Sequence, residues 1–185
     1  MTPTEADGGS DGFEADVRSL TDQQRAADAA DARRREHSLR AQAAEDGTFA
    51  GVLVDLAERG QQLAVSTLAG RVVRGVVHAV GADFVALRSP GGEEGLVPLD
   101  AVTAVRAEPG STPTVGDRAV QVLATLAGSL AELAVDRPWI SLHTRQGEAV
   151  VGQLRRAGRD VLSVRTDGGA TTYLPLANLN DVVVP

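Results

Sequence analysis

The hydrophobic and polar positions change period several times along this chain. From Thr48, TFAGVLVDLAERG puts Phe49, Val52, Leu53 and Leu56 on one face and Asp55, Glu58 and Arg59 on the other. That spacing predicts an amphipathic helix, with Gly60 at its C-terminal stop. Later, LAGSLAELAVDRP places Leu126, Leu130, Leu133 and Ala134 on a matching face, and Pro138 ends it. After each helix the period falls to two. Leu63, Val65 and Thr67 share a face, as do Ile140, Leu142 and Thr144. Such alternation predicts half-buried strands. Four further short strands follow in each case: the segments around Val73–Val77 and Val150–Leu154, then FVALR and VLSVR, LVPL and YLPL, and AVTAVRA and NLNDVVV.

The two series are one pattern written twice. Residues 50–107 align with 127–184 without a gap at a constant offset of 77, with 17 identities in 58 pairs. The identities fall mainly on turn glycines, a Pro-Leu pair and core Val or Leu, which are the residues a shared backbone demands. Gly70 and Gly147 mark the first hairpin turn. Gly75 and Gly152 lie in mid-strand, where a glycine signals a sharp bend or close backbone contact. A small barrel needs such a bend to close. The expected fold is mainly β with helices: two tandem small five-stranded barrels, each led by a helix, plus an N-terminal arm. By boundaries, 1–20 reads as a mostly disordered acidic tail and 21–46 as a helix. Residues 48–107 form the first barrel with its helix, 108–117 a Pro/Gly/Ser linker, and 118–185 the second barrel with its helix. A unit of this size is marginal alone, so pairing two units stabilises both.

The arm differs in kind. Phe13, Val17 and Leu20 could share one face of a short helix, and Thr21 with Gln24 has capping-box spacing. The helix expected from there runs through an Ala- and charge-rich stretch to near Gly47, without a broad apolar stripe. It reads first as a solvated helix and second as one that docks a protein partner through residues 21–46.

Composition narrows the function. The 185 residues carry a net charge of −7, no cysteine and five aromatics. Residues 1–49 hold 11 acids against 6 arginines, while each repeat is nearly neutral. The broad basic field of an indiscriminate phosphate-backbone binder is missing. Disulfides and thiolate metal sites are excluded. No apolar run reaches the ~18–20 residues that span a bilayer, and the start is acidic and polar rather than signal-like. The expectation is a soluble cytoplasmic protein with no membrane partner.

No enzyme or cofactor motif emerges. The glycine pairs lie between strands, whereas a phosphate loop opens a helix. No nucleophile elbow or triad order is present. By strand parity His78 and His143 point outward, and neither recurs in the other repeat. Trp139 reads as a core or interface plug. Asp83 and Asp160 read as turn residues whose carboxylates bond nearby backbone N–H groups. Arg88 and Arg165, recurring beside Gly-Gly, are candidate anion contacts. Arg155, Arg156, Arg159 and Arg165, with Arg145, form a basic cluster around one hairpin of the second repeat. It reads first as a solvated hairpin and second as a contact for RNA.

The run VSTLAGRVVRGVVHAVGADFVALR resembles the first Sm motif, with turn Gly70, then Gly75, then Asp83, and LVPLDAVTAV resembles the second. The resemblance to Sm-like proteins, whose bacterial members are the Hfq family of RNA chaperones, covers about two-thirds of the chain. It implies oligomeric rings, built by pairing of the fourth and fifth strands between subunits, and so self-association through barrel edges. It also implies RNA contacts at Ala82, Asp83 and Phe84, at Arg159, Asp160 and Val161, and at the turns Leu99-Asp100 and Leu176-Ala177. Where Hfq carries a Tyr-Lys-His triplet, this chain has Pro98-Leu99-Asp100 and Pro175-Leu176-Ala177, without aromatic, lysine or imidazole. The strand pattern with LVPLDAV is also similar to PRC-barrel domains, which implies a protein-interaction adaptor as the alternative.

Overall fold

The computed structural model describes residues 10–120 and 124–185. Two compact units divide at Glu45 and Asp46. The first contains one helix, α1 (Ser10–Glu45). It begins at Ser10, upstream of the Thr21 capping box and inside the tail expected over 1–20, and residues 1–9 of that tail lie outside the described residues. Its charged side chains pair locally, Arg34 with Asp31 and Arg40 with Glu36. Exposed pairs of this kind add only a few tenths of a kcal/mol, about 0.3–0.5 each.

The second unit is mainly β. It opens with α2 (Phe49–Glu58), then β1 (Gln62–Thr67), β2 (Val72–Val80), β3 (Phe84–Arg88), β4 (Glu94–Pro98) and β5 (Val102–Ala107). After the linker come α3 (Leu126–Asp136), β6 (Trp139–Thr144), β7 (Ala149–Ala157), β8 (Val161–Arg165), β9 (Thr171–Pro175) and β10 (Leu179–Val184). Thr48 and Thr125 cap the two helices by accepting from Gly51 N and Gly128 N. They are 77 residues apart, so the repeat extends through the caps.

All ten strands join one antiparallel sheet, in the order β5-β1-β2-β3-β4-β10-β6-β7-β8-β9. Each half keeps the same internal order, fifth-first-second-third-fourth. The halves meet where β4 of the first pairs with β10 of the second. Strand pairing therefore describes one open sheet rather than two closed barrels, with β5 and β9 at its edges.

Both halves bend at the same place. A Cβ on Gly75 would come 2.4 Å from the Arg88 carbonyl oxygen, and one on Gly152 would come 2.4 Å from that of Arg165. The register then shifts between Val77 and Ala79, and again between Leu154 and Arg156. Bulges of this kind sharpen twist and bend the strand. Gly70 and Gly147 make the hairpin turns at φ 73° and 87°.

Two apolar cores result. Leu53, Leu56, Leu63, Val65, Val77, Val85, Leu87 and Val97 fill the first. Leu126, Leu130, Ile140, Leu142, Leu154, Leu162, Val164 and Val182 fill the second, joined by Phe84, Ala86 and Leu96 from the first repeat. Strand β3 is thus buried on both faces, whereas its counterpart β8 buries one face only. The linker is fastened rather than free. Asp55 accepts from Thr114 Oγ1 and, at 3.1 Å, from Gly116 N, while Thr48 N donates to Gly116 O.

Candidate functional site

The joint between the repeats carries the most elaborate chemistry in the fold. Val182 faces Leu96, Val183 faces Gly95 and Val184 faces Glu94 across it. Next to this pairing lies a buried polar cluster. Asp181 receives Arg71 Nε at 3.1 Å on one oxygen and meets His143 Nδ1 at 2.9 Å on the other. Asn180 Nδ2 lies 2.8 Å from Thr67 Oγ1 and 2.7 Å from Asp181 Oδ1, and Asn180 Oδ1 accepts from Ala69 N at 3.0 Å. A buried carboxylate persists only when paired and hydrogen-bonded, and here every direction is answered. The counterparts of His143, Asn180 and Asp181 in the first repeat are Ser66, Thr103 and Ala104. The cluster is therefore built once, at the joint. It also corrects the parity reading of His143: the side chain is buried, because β10 brings Asp181 against it.

At one end of the joint the turns of both repeats enclose a cleft of about 360 Å³. Ala82, Asp83, Leu99 and Asp100 come from the first repeat, and Arg159, Leu176 and Ala177 from the second. Within each repeat the two turns are tied, Leu99 N donating to Asp83 O and Leu176 N to Asp160 O, both at 2.8 Å. Arg145 reaches across to Asp100 at 2.6 Å. Asp83 acts further away than a turn residue. Its Oδ1 accepts from Leu126 N at 2.7 Å, so the first repeat caps the helix of the second. Negative charge at that end also complements the helix dipole.

A second groove, of about 510 Å³, opens between α3 and the β7–β9 face. Arg155, Arg156, Val161, Ser163 and Tyr173 line it together with Ala134. Arg155 donates to Gln153 Oε1 at 3.1 Å. The six candidate arginines thus separate into three places. Arg145 and Arg159 face the turn cleft, Arg155 and Arg156 the groove, and Arg88 and Arg165 the exposed ends of β3 and β8. Phe84 is buried in the core rather than offered at a loop, and Trp139 is exposed rather than plugged. His78 pairs with Glu94 at 3.0 Å.

Sequence reasoning missed Asp181, Asn180 and the reach of Asp83. A signal existed for the first two: NLND breaks the Val/Ala pattern of the equivalent AVTAV. Among the described residues no helix is long and apolar enough to cross a membrane. No family model and no curated protein matches the chain.

Proposed function

We propose that this chain is a non-enzymatic binding and assembly protein of Sm-like type, made of two small barrels set edge to edge. One observation carries the reading. The order fifth-first-second-third-fourth occurs twice, and the two sets join through the fourth strand of one and the fifth of the other. Each set is bent at its mid-strand glycine and packs an apolar core under its own helix, the second core also taking in Phe84, Ala86 and Leu96 of the first set. In this reading the protein works by what its strand edges and turns hold, and the buried Asp181 cluster fixes how the two barrels meet.

Cutting the linker tests it. A protease site placed at Gly110-Ser111, which lie outside every strand and helix, separates the repeats covalently. The expected result is that both fragments co-elute on size exclusion and keep the circular dichroism of the intact chain. Fragments that part under native conditions sink the edge-joined reading.

A second reading is weak RNA binding by the second repeat. Arg155 and Arg156 beside an exposed Tyr173 form a groove with charge for phosphate and a ring for a base. The protein-adaptor alternative rests on α1, a long polar helix that forms a unit of its own.

A further inference from the structure

We infer that the cleft between α3 and the first repeat binds an extended, basic peptide segment of a partner protein, laid across Gly128 with a glycine of its own at the crossing. The template lies within the chain. On α2 the equivalent helix face already holds an extended segment, the linker. Gly116 N and Thr114 Oγ1 donate to Asp55, Thr48 N donates to Gly116 O at 2.9 Å, and Arg59 donates to Thr112 O at 2.7 Å. The linker backbone lies directly on Gly51, where any Cβ would overlap the Gly116 carbonyl. Gly51 is buried beneath it. A glycine weakens a helix, and here the close approach of a second backbone accounts for it.

The offset of 77 carries that face onto α3: Gly51 to Gly128, Val52 to Ser129, Asp55 to Glu132 and Arg59 to Asp136. Gly128 keeps the glycine without the covering segment. It is exposed, and a Cβ there would meet only Thr125 Oγ1, at 3.3 Å. Ser129, Glu132 and Asp136 line an open cleft of about 390 Å³. That volume falls at the lower end of the ~300–1,000 Å³ of ligand sites. The wall facing them is apolar and belongs to the first repeat, with Phe84, Ala86 and Leu96. A segment seated as the linker is seated would therefore be held from two sides. Val115 indicates which side chain that wall would cover. It precedes the crossing glycine of the linker and is 41% exposed beside α2.

Charge sets the chemistry of the occupant. On α2 the helix brings the cation, Arg59, and the linker offers a carbonyl. On α3 that place is taken by Asp136, and Glu94 adds a further carboxylate from the facing strand. Glu94 meets His78 at 3.0 Å, and no arginine lines the cleft among the described residues. The occupant must then bring the positive charge. The linker does so on α2 through Arg118, which lies 3.9 Å from Asp55 and 3.5 Å from Glu58. Opposite charge at such a rim selects the partner and speeds encounter more than it adds affinity. Apolar contact with Phe84 and Leu96 and hydrogen bonds to Glu132 hold the segment.

Fluorescence anisotropy on the full chain tests this with a labelled peptide that copies linker residues 111–118 and carries Thr112→Arg and Asp117→Arg. Saturable binding is expected. Gly128→Ala in the protein should weaken it about tenfold or more, an overpacking cost carried into binding. Its methyl stands where the peptide carbonyl would lie, yet it has room in the free chain, so the melting temperature should hold. Glu132→Arg, at an exposed position, should weaken binding several-fold as well. Gly116→Val within the peptide should abolish it, and the peptide without the two added arginines should bind more weakly. Absence of saturable binding overturns the inference, as does equal affinity for the native chain and Gly128→Ala. If Gly128→Ala melts early, Glu132→Arg decides in its place, and undiminished binding there overturns the inference. Cutting the linker at Gly110-Ser111 probes the joint between the repeats and not this cleft, so either proposal can fail without the other.

Discussion

Asp181 and Arg71 lie 110 positions apart in sequence, yet the Arg71 Nε approaches Asp181 Oδ1 at 3.1 Å across the joint between the repeats. The carboxylate is fully buried while the guanidinium is partly in water, so the two partners are unequal. Removing Asp181 strands His143 and an Asn180 amide proton as well as Arg71. Removing Arg71 leaves the carboxylate with two partners. Asp181→Ala is expected to destabilise by about 3 kcal/mol, in the range for breaking a buried pair, and Arg71→Ala by about half that. Urea unfolding of both variants measures the difference, and equal losses would contradict the assignment of Asp181 as the centre of the cluster.

The two bending glycines give a matched pair. A methyl at Gly75 or Gly152 meets a carbonyl oxygen on the neighbouring strand at 2.4 Å, which backbone cannot yield cheaply. Gly75→Ala and Gly152→Ala should each cost about 2–3 kcal/mol, the upper range for overpacking. Gly147→Ala is the contrast. Nothing lies within 4 Å of its Cβ, and only the positive φ of 87° opposes it. About 1 kcal/mol is expected there. Thermal melts of the three variants rank them, and a Gly147 loss exceeding the other two would remove the close-approach account.

These glycines were legible in the sequence because a duplicated chain repeats what its backbone requires. The helices, strands and turns of both halves were legible for the same reason, through period and offset. The joint was not. Its chemistry lies in the positions where the repeats differ, and those differences look like drift until the partner strand is known. FVALR is apolar at four successive positions and VLSVR alternates, which marks β3 as covered on both faces and β8 on one. His143 read as outward because parity counts faces of one sheet, and β10 had not been placed beside β6. The arginines of the second repeat are close in sequence but belong to a cleft, a groove and a strand end, since a bulged hairpin sends neighbours to different faces.

Arg155 and Arg156 offer the sharper test of nucleic-acid binding. Fluorescence anisotropy of single-stranded RNA against the full chain is expected to show weak binding at low salt. Replacing Arg155, Arg156 and Arg159 with Gln together should abolish it. With three phosphate contacts, the log–log salt slope for a single strand is about −2. Binding that persists in the triple variant would place the contact elsewhere, and the turn cleft with Arg145 would be examined next.

Asp83 and Asp160 occupy the same position in the two repeats, yet only Asp83 has a helix to cap. Leu126 N lies 2.7 Å from its carboxylate. Asp160 is exposed, and among the described residues of its own unit no helix N-terminus donates to its carboxylate. Asp83→Ala should therefore lower the stability of the chain at any concentration, by about 1–2 kcal/mol for a lost helix-terminal acceptor. Asp160→Ala should leave the melting temperature of dilute protein unchanged. The two variants thus separate a carboxylate that caps a helix of the other repeat from one that sits at the same position without that bond. If Asp160→Ala melts as early as Asp83→Ala, the carboxylate serves its own turn in both repeats, and the cap at Leu126 N does not account for the loss at Asp83.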